Sequence, residues 1–267
     1  MHEHVRNDLW SMDVRDCTTM PVKTKGDSPM ARVGHASVIA DRIMLVWGGD
    51  TKVQQTDTQD EGLYILDLRK PADVLCRDHT DGKGTQEWTK VPVASGPVGR
   101  YGHAVTMHGS RFFVFGGQAE GQFMNDLWAY DIKQRESTSQ VSRGSQLIIV
   151  SSDQQHQWEQ IQYTTPGPPR RTGHVLVSHQ NKLYLFGGTD GNYHYNDTWA
   201  FDFTTGGWTE LSCIGYIPVP REGHAAAIVD DVMYIFGGRD VNGKDLGDLA
   251  AFRITSEFPF GEMVKTG

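Results

Sequence analysis

Four histidines and four arginines recur in step along the chain, and theirs are the side chains whose types could do chemistry. His35, His103, His174 and His224 each follow a glycine, and Arg32, Arg100, Arg171 and Arg221 each stand two residues before it, in the pattern Arg-x-Gly-His. Repeated imidazoles raise the question of a metal centre, since neutral imidazole is a common metal ligand. Repeated guanidinium groups point instead to carboxylates, because the planar fork of Arg matches a carboxylate in paired hydrogen bonds. Which chemistry is available depends on whether the elements carrying these residues bring them to one point or hold them apart.

Those elements repeat. Double glycines at Gly48-Gly49, Gly116-Gly117, Gly187-Gly188 and Gly237-Gly238 lie 13 residues beyond the histidine in every copy, counted to the first glycine. Such a period signals a solenoid, propeller or array. Between histidine and double glycine lie two short runs rich in β-formers, split by a tight polar break such as Gln180-Asn181 or Asp230-Asp231. The second runs (residues 43–47, 112–115, 183–186 and 232–236) are almost continuously apolar. That suits strands covered on both faces and is too short for helices. The pair reads as a hairpin ended by the double glycine. Third strands follow at 63–67, 127–131, 198–202 and 249–252, and fourth strands opening on Trp at 88–91, 158–161 and 208–211. Four antiparallel strands in a unit of about 50 residues make a propeller blade. Metal ligands must converge within ~2.0–2.3 Å of one point. Histidines on separate blades ring an axis instead, so the expectation is imidazole-to-backbone bonds, with no metal and no cofactor. His2-x-His4 adds no metal site.

The Gly-His pairs, the double glycines and the spaced aromatic and Trp positions resemble the kelch repeat, over nearly the whole chain. Within that family the strings YGHAVTMHGSRFFVFGGQAEGQFMNDLWAYD and REGHAAAIVDDVMYIFGGRDVNGKDLGDLAAF are similar to the fungal cell-polarity and cell-fusion kelch proteins of the cell-end-marker type. The resemblance implies an all-β, kelch-type β-propeller of four-stranded antiparallel blades. It also implies a protein-interaction role in polarity or morphogenesis, in the cytoplasm, at the cell cortex or tip. Proteins of that type carry more repeats and a coiled-coil tail, and no sustained heptads occur here.

Laid on the chain, the pattern gives four to five blades in an incomplete ring. A partial blade occupies 1–31, because Asn7-Asp8-Leu9-Trp10 matches Asn125-Asp126-Leu127-Trp128. Full blades fall at about 32–91, 100–161, 171–211 and 221–253, and a divergent tail at 254–267, where Phe258-Pro259-Phe260 replaces the expected Trp. Insertions are read at 50–62, 69–87 and 132–157, the last a polar loop with an apolar island at 147–150. Unstacked blade faces at the two ends would favour self-association. Net charge is −8, which gives no electrostatic footprint for nucleic acid. No apolar run is long enough to span a membrane. Three dispersed cysteines fit a reducing compartment better than a disulfide framework.

The candidate site residues follow from placement. Arg32, Arg100, Arg171 and Arg221 occupy equivalent positions near the axis. They either contact an acidic peptide, as the resemblance implies, or bond carbonyls between blades. Phe123, Tyr193 and His194 lie in loops on the same face and are candidate exposed contacts, since aromatics are enriched at binding hot spots. Met124 and Tyr195 are expected to point inward. The reading is a non-catalytic module. Its competitors are a propeller enzyme acting on sugars and a ubiquitin-ligase adaptor fragment. The kelch copper oxidases use a Tyr/Cys/His constellation and the plant specifier proteins an iron motif Glu-x-x-x-Asp-x-x-x-His. Neither pattern is found here, nor is a BTB or F-box segment. The double glycines open no helix, so they form no phosphate loop.

Overall fold

The computed structural model describes residues 5–40, 42–51, 59–68, 86–92, 95–132, 157–254 and 260–266. Most of each insertion (52–58, 69–85 and 133–156) therefore lies outside the described residues. The described residues are strands, turns and extended chain, with no helix among them. They fall into two compact units. One comprises Met1–Pro92 with Val98–Tyr101, the other Val93–Pro97 with Gly102–Gly267.

In the first unit a hairpin joins Leu9–Asp13 to Thr18–Val22, with Leu9 opposite Val22. Blade 1 follows as Ala36–Ala40, Ile43–Trp47, Leu63–Asp67 and Gln86–Val91, all antiparallel neighbours. The short strand Thr24–Gly26 adds to its outer edge, parallel to Gln86–Val91. Val46, Tyr64, Leu66 and Trp88 form the unit's apolar core, and Leu9 of the hairpin packs against it.

The second unit holds three blades and a two-stranded pairing of Arg221–Glu222 with Arg239–Asp240. Blade 2 is Ala104–His108, Arg111–Ala119, Gln122–Asp131 and Trp158–Ile161. Blade 3 is Val175–His179, Lys182–Thr189, His194–Asp202 and Gly207–Glu210. Blade 4 is Ala225–Val229, Val232–Phe236, Leu249–Ile254 and Phe260–Thr266, with Ser212–Gly215 added parallel to its outer strand. The continuous apolar runs are explained by this stacking. Along the second strand of blade 3, Leu183 and Leu185 face the cluster of Phe113, Phe115 and Leu127 from blade 2. The alternate residues Tyr184 and Phe186 face Met233, Ile235 and Phe252 of blade 4. A strand alternates its side chains between faces, so only a strand sandwiched between two sheets needs apolar residues at every position.

Two sequence expectations are corrected. The double glycine does not end the second strand in blades 2 and 3. Those strands run on to Ala119 and Thr189 because a bulge absorbs the irregularity, with register shifts at Met124/Leu127 and Phe186/Gly188. The segment read as a divergent tail supplies a strand, since Phe260–Thr266 pairs antiparallel with Leu249–Ile254. Backbone pairing needs no Trp, and Gly261 lets the aromatic ring of Phe252 lie against the backbone where a side chain would collide. Each blade has the four antiparallel strands expected, and in blades 1 and 4 a parallel strand is added on the outer edge.

The stacking predicts a contrast between equivalent positions. Phe186 is fully buried against blade 4, whereas its counterpart Phe236 is 55% exposed. Phe186→Ala should cost ~3–5 kcal/mol in urea denaturation. Phe236→Ala should cost less than about 1 kcal/mol, as expected of a largely exposed side chain.

Candidate functional site

The four arginines are buried: Arg32 is 5% exposed, Arg100 2%, and Arg171 and Arg221 0%. A guanidinium ion inside the protein needs its donors filled. At Arg171, Nε donates to Pro169 O at 3.0 Å, and Nη1 to Gly187 O at 2.9 Å. Nη1 and Nη2 also grip both carboxylate oxygens of Asp197 at 2.7 and 2.8 Å. The ring of Tyr195 lies 4.1 Å beneath the guanidinium carbon. Arg221 repeats the arrangement with Val219 O, Gly237 O and Asp248 at 2.8–3.1 Å. The Arg221 hydrogen bonds hold the Asp248 carboxyl below its usual range. Arg32 bonds Met30 O, Gly48 O and Asp60. Burial works against charge on Asp60. Hydrogen bonds from Tyr64, Lys90, the Gly62 amide and Arg32 outweigh it and bring its pKa down to about 2. At Arg100, Nε donates to Val98 O at 3.1 Å.

The clamp is aimed by the bulge beside the double glycine. Gly188 pairs with Tyr195 and Phe186 with Thr198, so Asn196 and Asp197 together oppose Gly187. The bulge turns the Asp back toward the arginine. The neighbouring Asn reaches the other way, and Asn196 Nδ2 donates to Pro218 O as Asn125 Nδ2 does to Pro168 O. The Trp two residues past the Asp donates to it, Trp199 Nε1 to Asp197 at 2.7 Å. The Asn-Asp-x-Trp motif is thus one hydrogen-bonded unit. Blade 1 lacks the motif, and Asp60 supplies the carboxylate from two residues before Gly62.

The histidines join neighbouring blades. His174 Nε2 meets Phe115 O at 3.1 Å, and His224 Nε2 meets Phe186 O at 3.2 Å. Each crosses from the start of one blade to the carbonyl just before the double glycine of the preceding one. Both glycines are required by these rings. A side chain on Gly116 or Gly187 would strike the next blade's imidazole at 2.8 Å, and one on Gly188 or Gly238 would strike Cβ of its own blade's histidine at 2.9 Å. Burial holds His174 far below the ordinary imidazole pKa and His224 at about 4. Both rings are therefore neutral and donate one N–H. Among the described residues no group of three or more His, Cys, Asp or Glu is placed to hold a metal ion.

The loop residues lie differently. Tyr193 is 58% exposed, edge-on to Tyr195. Its backbone is fixed by Asp190, whose Oδ1 accepts from the Asn192 and Tyr193 amides at 2.9 and 2.8 Å. Phe123 is half-buried, its ring against Gly191 at the base of that loop. His194 is half-buried, with Nε2 3.6 Å from Glu222 Oε1. Met124 and Tyr195 are also half-buried, and Tyr195 donates to Asp190 at 3.0 Å. Phe123 and Tyr193 thus border the Gly191 loop and His194 faces Glu222, whereas the arginines lie beneath the surface. In the corresponding loop of blade 4, Arg239 and Asp245, paired at 3.0 Å, and Lys244 are exposed.

With this geometry in view, comparison with known proteins defines the class. The chain matches the KLHDC2/KLHL20/DRC7 Kelch-repeats domain over residues 1–154 and 142–258, and it belongs to the kelch-repeat family. It is 32% identical over 98% of its length to Tip elongation aberrant protein 1 of Schizosaccharomyces pombe. It is 31% identical over 79% of its length to Tip elongation aberrant protein 3 of the same yeast. With human Kelch domain-containing protein 3 it shares 27% identity over 91% of its length. It spans 24%, 18% and 57% of those three proteins respectively.

A pH dependence follows from the bridging histidines. Their folded pKa lies below the unfolded value, so the unfolded chain takes up their protons first as pH falls. Stability is complete above about pH 6.5 and should decline toward pH 4, by ~1.4 kcal/mol per pH unit for each such histidine. The Asp60 contribution is lost in a separate, lower window, from the ordinary carboxyl range down to about 2. Urea midpoints between pH 7.5 and 4 should show the first decline, and His224→Gln should flatten it.

Proposed function

We propose that the chain is a non-catalytic interaction module that docks a protein segment on the Phe123–Tyr193–His194 patch, in the service of fungal cell polarity or morphogenesis. The observation that carries the reading is Tyr193: a large aromatic left exposed on a loop whose backbone is fully tied down. A rigid exposed aromatic contributes contact area at small entropic cost. Family membership supports an interaction role. The names of the two yeast relatives, both of which refer to tip elongation, support a cytoplasmic setting at the cortex or growing tip.

The partner need not be acidic. The core arginines give no reason for an acidic segment, because Arg32, Arg171 and Arg221 are already spent on Asp60, Asp197, Asp248 and backbone carbonyls.

The experiment is affinity capture with mass spectrometry, wild type against Tyr193→Ala/Phe123→Ala, with thermal melting as the fold control. The double variant should melt within a few degrees of wild type and lose its specific partner at least about tenfold, ~1.4 kcal/mol. Recovery of the same partners at wild-type levels would contradict the reading.

A further inference from the structure

Twice inside the fold a cation lies on a tyrosine ring beside a carboxylate. Arg32 sits over the Tyr64 ring at 5.1 Å and bonds Asp60, which also accepts from the Tyr64 hydroxyl at 2.6 Å. Lys90 joins them, 5.5 Å from the ring centre and 3.0 Å from Asp60. Arg171 sits over Tyr195 at 4.1 Å and bonds Asp197. Such a trio is favourable because the ring face carries the negative part of the aromatic quadrupole and the carboxylate balances the charge.

The loop of blade 3 supplies a ring and a carboxylate of the same kind. The ring is the exposed Tyr193, edge-on to Tyr195 with centroids 4.9 Å apart. The Tyr193 carbonyl accepts from Thr189 Oγ1 at 2.8 Å and from the Asp190 amide at 3.2 Å, so the residue is fixed at both its amide and its carbonyl. The carboxylate is Asp190, and the donors it accepts from are uncharged: the Asn192 and Tyr193 amides and the Tyr195 hydroxyl. Burial works against charge on Asp190, and these bonds outweigh it, so its pKa lies below the usual carboxyl range and it is ionised at neutral pH. The surface around the loop has the same sign. In the second unit, the loops between second and third strands and the residue before Gly223 contribute Glu120, Asp190, Glu222, Asp240 and Asp245 against Arg239 and Lys244, and Arg239 is already paired with Asp245. The arginines beneath add no net positive charge, because Asp197 and Asp248 neutralise Arg171 and Arg221.

We infer that the segment docked on this loop is basic, and that it lays an arginine guanidinium on the Tyr193 ring within reach of the Asp190 carboxylate. The inference rests on the docking role proposed for Tyr193. Arginine suits the place better than lysine, because a flat guanidinium stacks on a ring while its N–H edge meets a carboxylate. The carboxylates around the loop steer a basic segment toward it and turn an acidic one away. The sign is the reverse of the acidic peptide implied by the kelch resemblance, because this fold spends its equivalent arginines inside and leaves carboxylates at the surface.

Fluorescence anisotropy of the full chain with a labelled arginine-rich Gly-Ser peptide, and with its lysine and glutamate counterparts, tests this. The arginine peptide should bind most tightly and the glutamate peptide least. Tyr193→Ala and Asp190→Asn should each weaken the arginine peptide at least about fivefold, ~1 kcal/mol. Asn at position 190 still accepts the two amide bonds, so that variant removes the charge and keeps the loop, with circular dichroism as the fold control. Asp231→Asn removes the same charge from the turn at the opposite end of the strands and should leave binding unchanged. An arginine peptide held no more tightly than the lysine or glutamate peptide, or weakened as much by Asp231→Asn as by Asp190→Asn, overturns the inference. A glutamate peptide that binds and is lost with Tyr193→Ala overturns the basic occupant alone and leaves docking at Tyr193 standing. A Tyr193→Ala chain that holds every peptide as wild type does overturns both.

Discussion

The structure depends on a buried guanidinium. A charge at 0% exposure is tolerated only when each donor nitrogen has an acceptor and the charge has a counter-ion. Arg171 and Arg221 satisfy both conditions through a bidentate Asp and two backbone carbonyls. At Arg171 one carbonyl comes from the double glycine and the carboxylate from the bulge opposite it. One side chain thus ties the second strand, at Gly187, to the third, at Asp197. Since the Arg also begins the stretch that leads to Gly-His, it sets where the inter-blade histidine leaves.

From that clamp the joints between blades follow. A neutral imidazole and a glycine amide, both short, hold adjacent inner strands where no bulkier group fits. The apolar clusters on either side of blade 3 supply the burial, and these polar bonds supply the register. The same rigidity reaches the surface, because Tyr195, stacked under Arg171, also holds Asp190, which ties down the Tyr193 loop. A strained or mobile loop would be a poor platform; here Asp190 accepts from the Asn192 and Tyr193 amides and from the Tyr195 hydroxyl.

The blades were legible in the sequence because their strands alternate toward two apolar neighbours and their punctuation recurs at one spacing. The histidines could be read as backbone partners because equivalent positions on a repeat cannot converge. Thr24–Gly26 and Ser212–Gly215 escaped notice: they are three or four residues long and mostly exposed, so no apolar period marks them. Phe260–Thr266 was hidden by Pro259 and the missing Trp. For the arginines, equal spacing left two roles open. The deciding signal was in the chain, a carboxylate 26–28 residues beyond Arg32, Arg171 and Arg221. Its meaning required the bulge that aims it. Phe123 and His194 proved half-covered because neighbouring loops lean on them, which spacing within one repeat cannot reveal.

Whether these arginines serve the fold or a ligand is settled most directly by a double-mutant cycle on Arg171 and Asp197, read by urea denaturation. Arg171→Met and Asp197→Ala each strand one buried partner, and each should cost ~3–5 kcal/mol. Together they should cost less than the sum, by a coupling of up to ~3 kcal/mol. A chain that keeps wild-type stability with Arg171→Met, or two substitutions whose costs simply add, would contradict the account.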